Sequence, residues 1–224
     1  MKNLPSTDAF NIVTVGSWNP AIFTPEWAKS NLAEDSEKDV ILAIPMQMQT
    51  LLPLRLTVDD VNIYPSMQSL VIDCIEYSEA SFGSVSRKLA RVATLLPHTP
   101  VTAIGINFRF ALDLSESDIL PELFSFGDAA RIDSTKYRLT SSVLKRTFYL
   151  NDSTLLNISI ESLEETFRLE FNFHSEVKRL SEITDKTTAD RIEKCRDHAI
   201  EFMANVYEID TDEQTGDENG NQYS

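Results

Sequence analysis

The sequence predicts an α+β protein, a largely antiparallel sheet from two meander-plus-helix units with amphipathic helices packed on it. Three observations carry that prediction. The stretch PHTPVTAIGINFRFALDL, Pro97 to Leu114, holds the longest clean alternation of the chain. Thr102, Ile104, Ile106, Phe108, Phe110, Leu112 and Leu114 share one side, and Val101, Ala103, Gly105, Asn107, Arg109, Ala111 and Asp113 share the other, the period of two that a strand imposes. On either side of this stretch lies a group of short alternating runs. Each group ends in a segment whose apolar residues recur at steps of three and four, the helical period. Meander then helix therefore occurs twice, over 40–96 and 143–207, joined by the strand over 100–114 and a short helix. That joining strand is expected at the centre of the sheet, its small second face (Val101, Ala103, Gly105) letting a helix or another backbone lie close.

Taken in order, Phe10 to Val15 reads as a strand ended by Gly16. Thr24 supplies an N-cap, Pro25 the favoured first helical residue and Glu26 a carboxylate for the positive end of the dipole, so a short helix is expected from Pro25 to about Leu32. Residues 1–39 thus read as an N-terminal strand and a Trp-rich lid segment, ending in an exposed acidic connector over 33–39. Val40 to Ile44 is a continuous apolar run, the pattern of a strand buried on both faces. Leu54 to Val58, Val61 to Tyr64 and Ser69 to Tyr77 complete the first meander, with Asp59-Asp60 as a tight turn. From Phe82 to Leu96 a stripe of Phe82, Val85, Leu89, Val92, Ala93 and Leu96 leaves Ser84, Arg87, Lys88 and Arg91 on the outer face, and Pro97 stops the helix.

A short helix is expected around Asp118 to Phe126, then a loop over 127–135. Val143 to Leu150, Leu156 to Ile160 and Phe167 to Phe173 form the second meander. A long helix capped by Thr187 or Thr188 follows, with a heptad seam of Ile192, Cys195, Ala199, Phe202 and Val206. Residues 208–224, EIDTDEQTGDENGNQYS, carry six acids and no base and are expected to be a disordered acidic tail.

A chain of 224 residues is long enough to bury a core without staples. Its two cysteines, Cys74 and Cys195, lie in no CxxC or metal-type spacing, and no run reads as a leader or a membrane span, so a reduced, cytoplasmic protein without membrane association is expected. The net charge of -15 makes nucleic acid an unlikely partner, because phosphate contacts need surplus bases. The charge is uneven. Residues 80–112 and 134–151 contain no acid and together carry +8, leaving -23 on the remainder. If Arg87, Lys88, Arg91, Lys145 and Arg146 meet in space they form a basic patch on an acidic body.

No GxGxxG, GxxxxGK[ST], GxSxG or HExxH occurs, so no catalytic residue, metal ligand or cofactor is assigned. Cys195 and His198 stand three apart on one helix, which is two ligands and not a zinc site. Asp59-Asp60 and Asp73 with Glu76 are acid pairs that arise readily among 35 acids. Trp18, Phe23 and Trp27 offer more apolar surface than a loop and a two-turn helix can hide, so they are either a lid over the core or a partner-docking surface. Asn107 and Arg109, polar residues on the second face of the central strand, are candidates to line a ligand pocket between sheet and helix.

The segments GSWNPAIFTPEW and LLPHTPVTAIGINFRF resemble those of prokaryotic or phage proteins, and the resemblance implies no activity. The functional expectation is a non-enzymatic binding or assembly protein acting through protein partners or homo-oligomerisation. The alternatives are a ligand-binding domain, or an acidic mimic of nucleic acid that occupies a nucleic-acid-binding partner.

Overall fold

A computed structural model describes residues 6–34, 37–44, 54–113, 119–124, 131–132, 136, 139–163 and 166–209. β1 (Ser6–Gly16), α1 (Pro25–Asn31), β2 (Ile41–Ala43), β3 (Arg55–Val58), β4 (Val61–Pro65), β5 (Ser69–Cys74) and α2 (Glu79–Leu95) form the first half. β6 (Val101–Asp113), α3 (Ile119–Leu123), β7 (Ser142–Asn151), β8 (Thr154–Ser162), β9 (Thr166–Glu176), α4 (Ser181–Lys186) and α5 (Ala189–Tyr207) form the second. The loop expected over 127–135 and the tail beyond residue 209 lie wholly or largely outside the described residues.

The nine strands make one antiparallel sheet in the order β2-β3-β4-β5-β1-β6-β9-β8-β7. The architecture is therefore the α+β arrangement that the alternation predicts. Each meander returns its last strand to the strand that precedes it, β5 onto β1 and β9 onto β6, and β1 pairs with β6 between them. β1 thus stands inside the sheet, between β5 and β6. β6 is central, held by β1 and β9 along almost its whole length.

The bulky face of β6 is buried under helices. Phe108 meets Phe10 of β1 and Phe82 of α2 at centroid distances of 5.2 and 6.0 Å, and Phe171 of β9 meets Phe202 of α5 at 6.0 Å. Each buried aromatic ring removes enough apolar surface to contribute about 2 kcal/mol or more. α1 starts where Thr24 accepts a hydrogen bond from the Trp27 N–H, and α2 starts at a reciprocal Ser78–Ser81 capping box, each satisfying orphan donors of a first turn. No helix among the described residues is long and apolar enough to cross a membrane.

Four expectations are corrected. Val40 to Ile44 is not a strand buried on both faces: β2 is a three-residue strand at the edge of the described sheet, beside β3, with Ile41 and Ile44 59% and 65% exposed. The stripe that α5 buries is Ile192, Arg196, Ala199, Met203 and Tyr207, while Val206 is exposed. Arg196 enters it because its guanidinium lies over the Phe82 ring, 5.7 Å from the centroid, and reaches Asp197 at 2.8 Å, a cation–π contact with an ion pair beside it. The helix α4 was not foreseen. The tail does not start at residue 208: Glu208 adopts the left-handed cap (φ 50) and the Ile209 N–H bonds the Met203 carbonyl, burying Ile209 in the manner of a Schellman stop.

Lys88 is the fifth correction. It does not lie on an outer face but is 2% exposed, with its Nζ 2.6 Å from Asp59 Oδ2 and 3.2 Å from Glu34 Oε1. Asp59 holds the left-handed conformation (φ 53) of the two-residue β3–β4 turn, and the same Oδ2 accepts the Glu34 N–H at 2.9 Å. One carboxylate therefore ties the hairpin tip to α2 and to the chain leaving α1. The Arg87 hydrogen bond holds the Glu34 carboxyl below its usual range. Removing one partner of such a buried pair costs about 3–5 kcal/mol, whereas removing both costs less. Asp59→Ala is accordingly expected to lower the unfolding free energy in urea by about 3 kcal/mol or more, and Asp59→Ala with Lys88→Met to recover part of that loss; equal losses in the two variants would show that Lys88 does not depend on Asp59.

Candidate functional site

Five times in the chain an asparagine stands between two large apolar residues: Phe10-Asn11-Ile12, Val61-Asn62-Ile63, Ile106-Asn107-Phe108, Leu156-Asn157-Ile158 and Phe171-Asn172-Phe173. Asparagine is depleted in strands, yet all five are mid-strand here. The apolar neighbours face the helices, so each amide must project from the opposite face. Strand register then aligns them. Thr57, Asn62, Asp73, Asn11, Asn107, Asn172, Asn157 and Thr147 are successive Cα partners across β3, β4, β5, β1, β6, β9, β8 and β7.

The row is hydrogen-bonded from both ends towards its middle. From β7, Thr147 Oγ1 donates to Asn157 Oδ1 at 2.8 Å, Asn157 Nδ2 to Asn172 at 2.9 Å, Asn172 Nδ2 to Asn107 at 2.6 Å and Asn107 Nδ2 to Asn11 at 2.8 Å. From β3, Thr57 Oγ1 donates to Asn62 at 2.8 Å and Asn62 Nδ2 to Asp73 at 2.9 Å. Asp73 is thus the acceptor that ends the β3 arm, and its Cα partner Asn11 ends the other. Burial pushes its carboxyl above the usual range, against the opposing pull of the Asn62 and Tyr64 hydrogen bonds and of Arg55. Because its folded value is raised, the stability it supports is greatest below the ordinary carboxylate range and declines as pH rises through the raised value.

The face that carries the row has a trough of about 530 Å³ lined by Asn11, Asn107, Asn172, Arg109, Glu170 and Lys145 among others. Asn107 and Arg109, expected to line a pocket, do so, but on the face turned away from the described helices rather than between sheet and helix. Arg109 Nε bonds Glu170 Oε1 at 2.9 Å, a half-exposed pair that closes one flank of the trough. The trough therefore offers amide and hydroxyl groups with one balanced ion pair and Lys145, a surface suited to polar groups and to backbone.

The aromatic candidates lie elsewhere. Trp18 and Phe23 are 5% and 2% exposed, with the Trp18 indole donating to the Thr14 carbonyl at 3.2 Å, and Trp27 packs half-buried against Phe23 at 5.2 Å. They pack as a lid on the core, with α1 lying on β3. The five bases do not form a patch. Arg87 pairs with Glu34, Lys88 is buried, and Arg91 donates to the Asn31 carbonyl, all on α2. Lys145 lines the trough on the other side of the sheet, and Arg146 sits beside Tyr207 of α5.

Burial pushes the Cys195 thiol up to about 11 and raises that of Cys74, so both stay protonated at neutral pH and are weak nucleophiles. Among the described residues no three His, Cys, Asp or Glu side chains are grouped as a metal ion requires. No protein-family model matches the sequence, and comparison with curated proteins and with solved structures finds no significant match.

Gly105 explains how the row is packed. A Cβ there would come within 2.5 Å of Asn172 Nδ2, so the small face of β6 admits a side-chain amide rather than a helix. Gly105→Val is expected to displace Asn172, break the row at its shortest bond and cost roughly 1–3 kcal/mol, measured by chemical denaturation. An unchanged stability would show that the amide can move aside freely.

Proposed function

We propose that the chain is a non-enzymatic binding or assembly protein, cytoplasmic and acting through protein–protein contacts that include copies of itself. The observation that supports this reading is the edge strand β7. It is the last strand of the sheet, ten residues long, with every second residue exposed, and it presents a row of backbone N–H and C=O groups that no described strand pairs. Exposed edges of that length are either guarded or used. The opposite edge is guarded by shortness, since β2 has three residues. β7 contains no proline, and Val143 and Tyr149 are 50% and 87% exposed on it. Such an edge accepts another strand through main-chain hydrogen bonds, with alternate side chains supplying selectivity.

A second reading, a ligand-binding domain, is favoured by one specific observation, the trough lined by Asn107 and Arg109. The two are compatible, since Lys145 and Thr147 of β7 form the outer wall of that trough.

The test is association measured on the full chain purified from its own host. Sedimentation velocity and native mass spectrometry are expected to show a protein-containing complex, and Val143→Lys with Tyr149→Glu to dissolve it while leaving the melting temperature within a few degrees. A chain that is monomeric, carries no bound protein and is indifferent to both substitutions overturns the assembly reading. A small-molecule adduct lost on filling the trough with Ser159→Trp would leave the ligand reading in its place.

A further inference from the structure

We infer that β7 pairs antiparallel with β7 of a second copy about a two-fold axis at Thr147, joining two nine-stranded sheets into one. This rests on the assembly reading above and names its partner and register. Directly opposed residues of an antiparallel pair lie on the same sheet face. A symmetric β7–β7 pairing must therefore centre on a residue, and four centres keep most of the strand paired: Lys145, Arg146, Thr147 and Phe148. A centre at Lys145 opposes two ammonium groups. A centre at Arg146 opposes two guanidinium groups, and like charges directly opposite are destabilising.

A centre at Thr147 is self-complementary from Leu144 to Leu150. Thr147 opposes the partner's Thr147, a favoured cross-strand pair. Lys145 opposes the partner's Tyr149, whose ring is 87% exposed and can receive both the aliphatic stem and the ammonium. Arg146 opposes the partner's Phe148, and Leu144 the partner's Leu150. No cation faces a cation, although the strand carries Lys145 and Arg146 and no acid.

The polar row selects the same centre. Thr147 is the outermost member of the hydrogen-bonded series and donates inward to Asn157 at 2.8 Å, which leaves its oxygen lone pairs directed away from β8. A centre at Thr147 brings the two series end to end, and one of the two hydroxyls links them by turning its single proton from Asn157 to the partner's Thr147 oxygen. A centre at Phe148 would instead set Thr147 opposite the partner's Tyr149 and interrupt the row. Closed two-fold pairing also removes the exposed edge on both copies without generating a fibre.

Light scattering over a concentration series, with single cysteines placed at 145 to 149 and oxidised gently, tests the inference. The wild-type chain is expected at twice the monomer mass, Thr147→Cys to form the disulfide-linked dimer in highest yield, and Tyr149→Glu to weaken association about tenfold or more. The wild-type chain, whose Cys74 and Cys195 are half-buried, is the control for other disulfides. A highest yield at position 145, 146, 148 or 149 overturns the Thr147 register. A monomer that Thr147→Cys does not cross-link overturns the pairing itself, and a different protein seated on β7 overturns the self-partner while leaving the assembly reading intact.

Discussion

Strand register is the constraint on which the rest of this structure depends. A one-residue slip of any strand would turn its apolar set away from α2 and α5 and bury its polar set, so each strand has one acceptable phase against the helices. Burial alone does not choose between registers two residues apart. The side-chain row does: Asn107 finds Asn11 on one side and Asn172 on the other only when β1, β6 and β9 are aligned as they are. The amide series therefore fixes the part of the alignment that hydrophobic burial leaves open.

The two faces of the sheet divide the work. The helix face holds the aromatic core built around Phe10, Phe108 and Phe171, which supplies most of the favourable free energy because removing apolar surface from water drives folding more than any other interaction. The opposite face supplies specificity and a polar, partly open surface. At the β3–β4 end of the sheet the Lys88–Asp59 pair ties the hairpin to α2, and at the β7 end the sheet stops at a long strand with nothing described beyond it. The assembly role proposed for the chain follows from that asymmetry between a guarded and an unguarded edge.

Much of the fold was legible in the sequence because its strands alternate cleanly. The central place of β6, both meanders, the Thr24 and Thr188 caps and the Asp59-Asp60 turn all follow from short-range chemistry. What was not legible depends on strand order or on long side chains. Lys88 reads as an outward charge until the hairpin brings Asp59 to it. The stripe of α5 reads as Ile192, Cys195, Ala199, Phe202 and Val206 until Arg196 is allowed to lay its guanidinium on Phe82 and Tyr207 to bury its ring. Val40 to Ile44 has the composition of a central strand and lies at an edge, since composition does not report neighbours. Asn107 and Arg109 were legible as polar residues lining a hollow, but the row to which Asn107 belongs was not. Its signal was present in the five apolar-Asn-apolar triplets, which carry meaning only when read together.

The measurement that tests the account most directly is a double-mutant cycle between Asn107 and Asn172, the shortest bond of the row. Asn107→Ala, Asn172→Ala and the double variant would be unfolded in urea beside the wild type. If the row sets register, the two losses are coupled by roughly 0.5–3 kcal/mol, with the double variant less destabilised than the sum. Strict additivity, with no coupling beyond error, would contradict the account and leave the alignment of the sheet to hydrophobic packing alone.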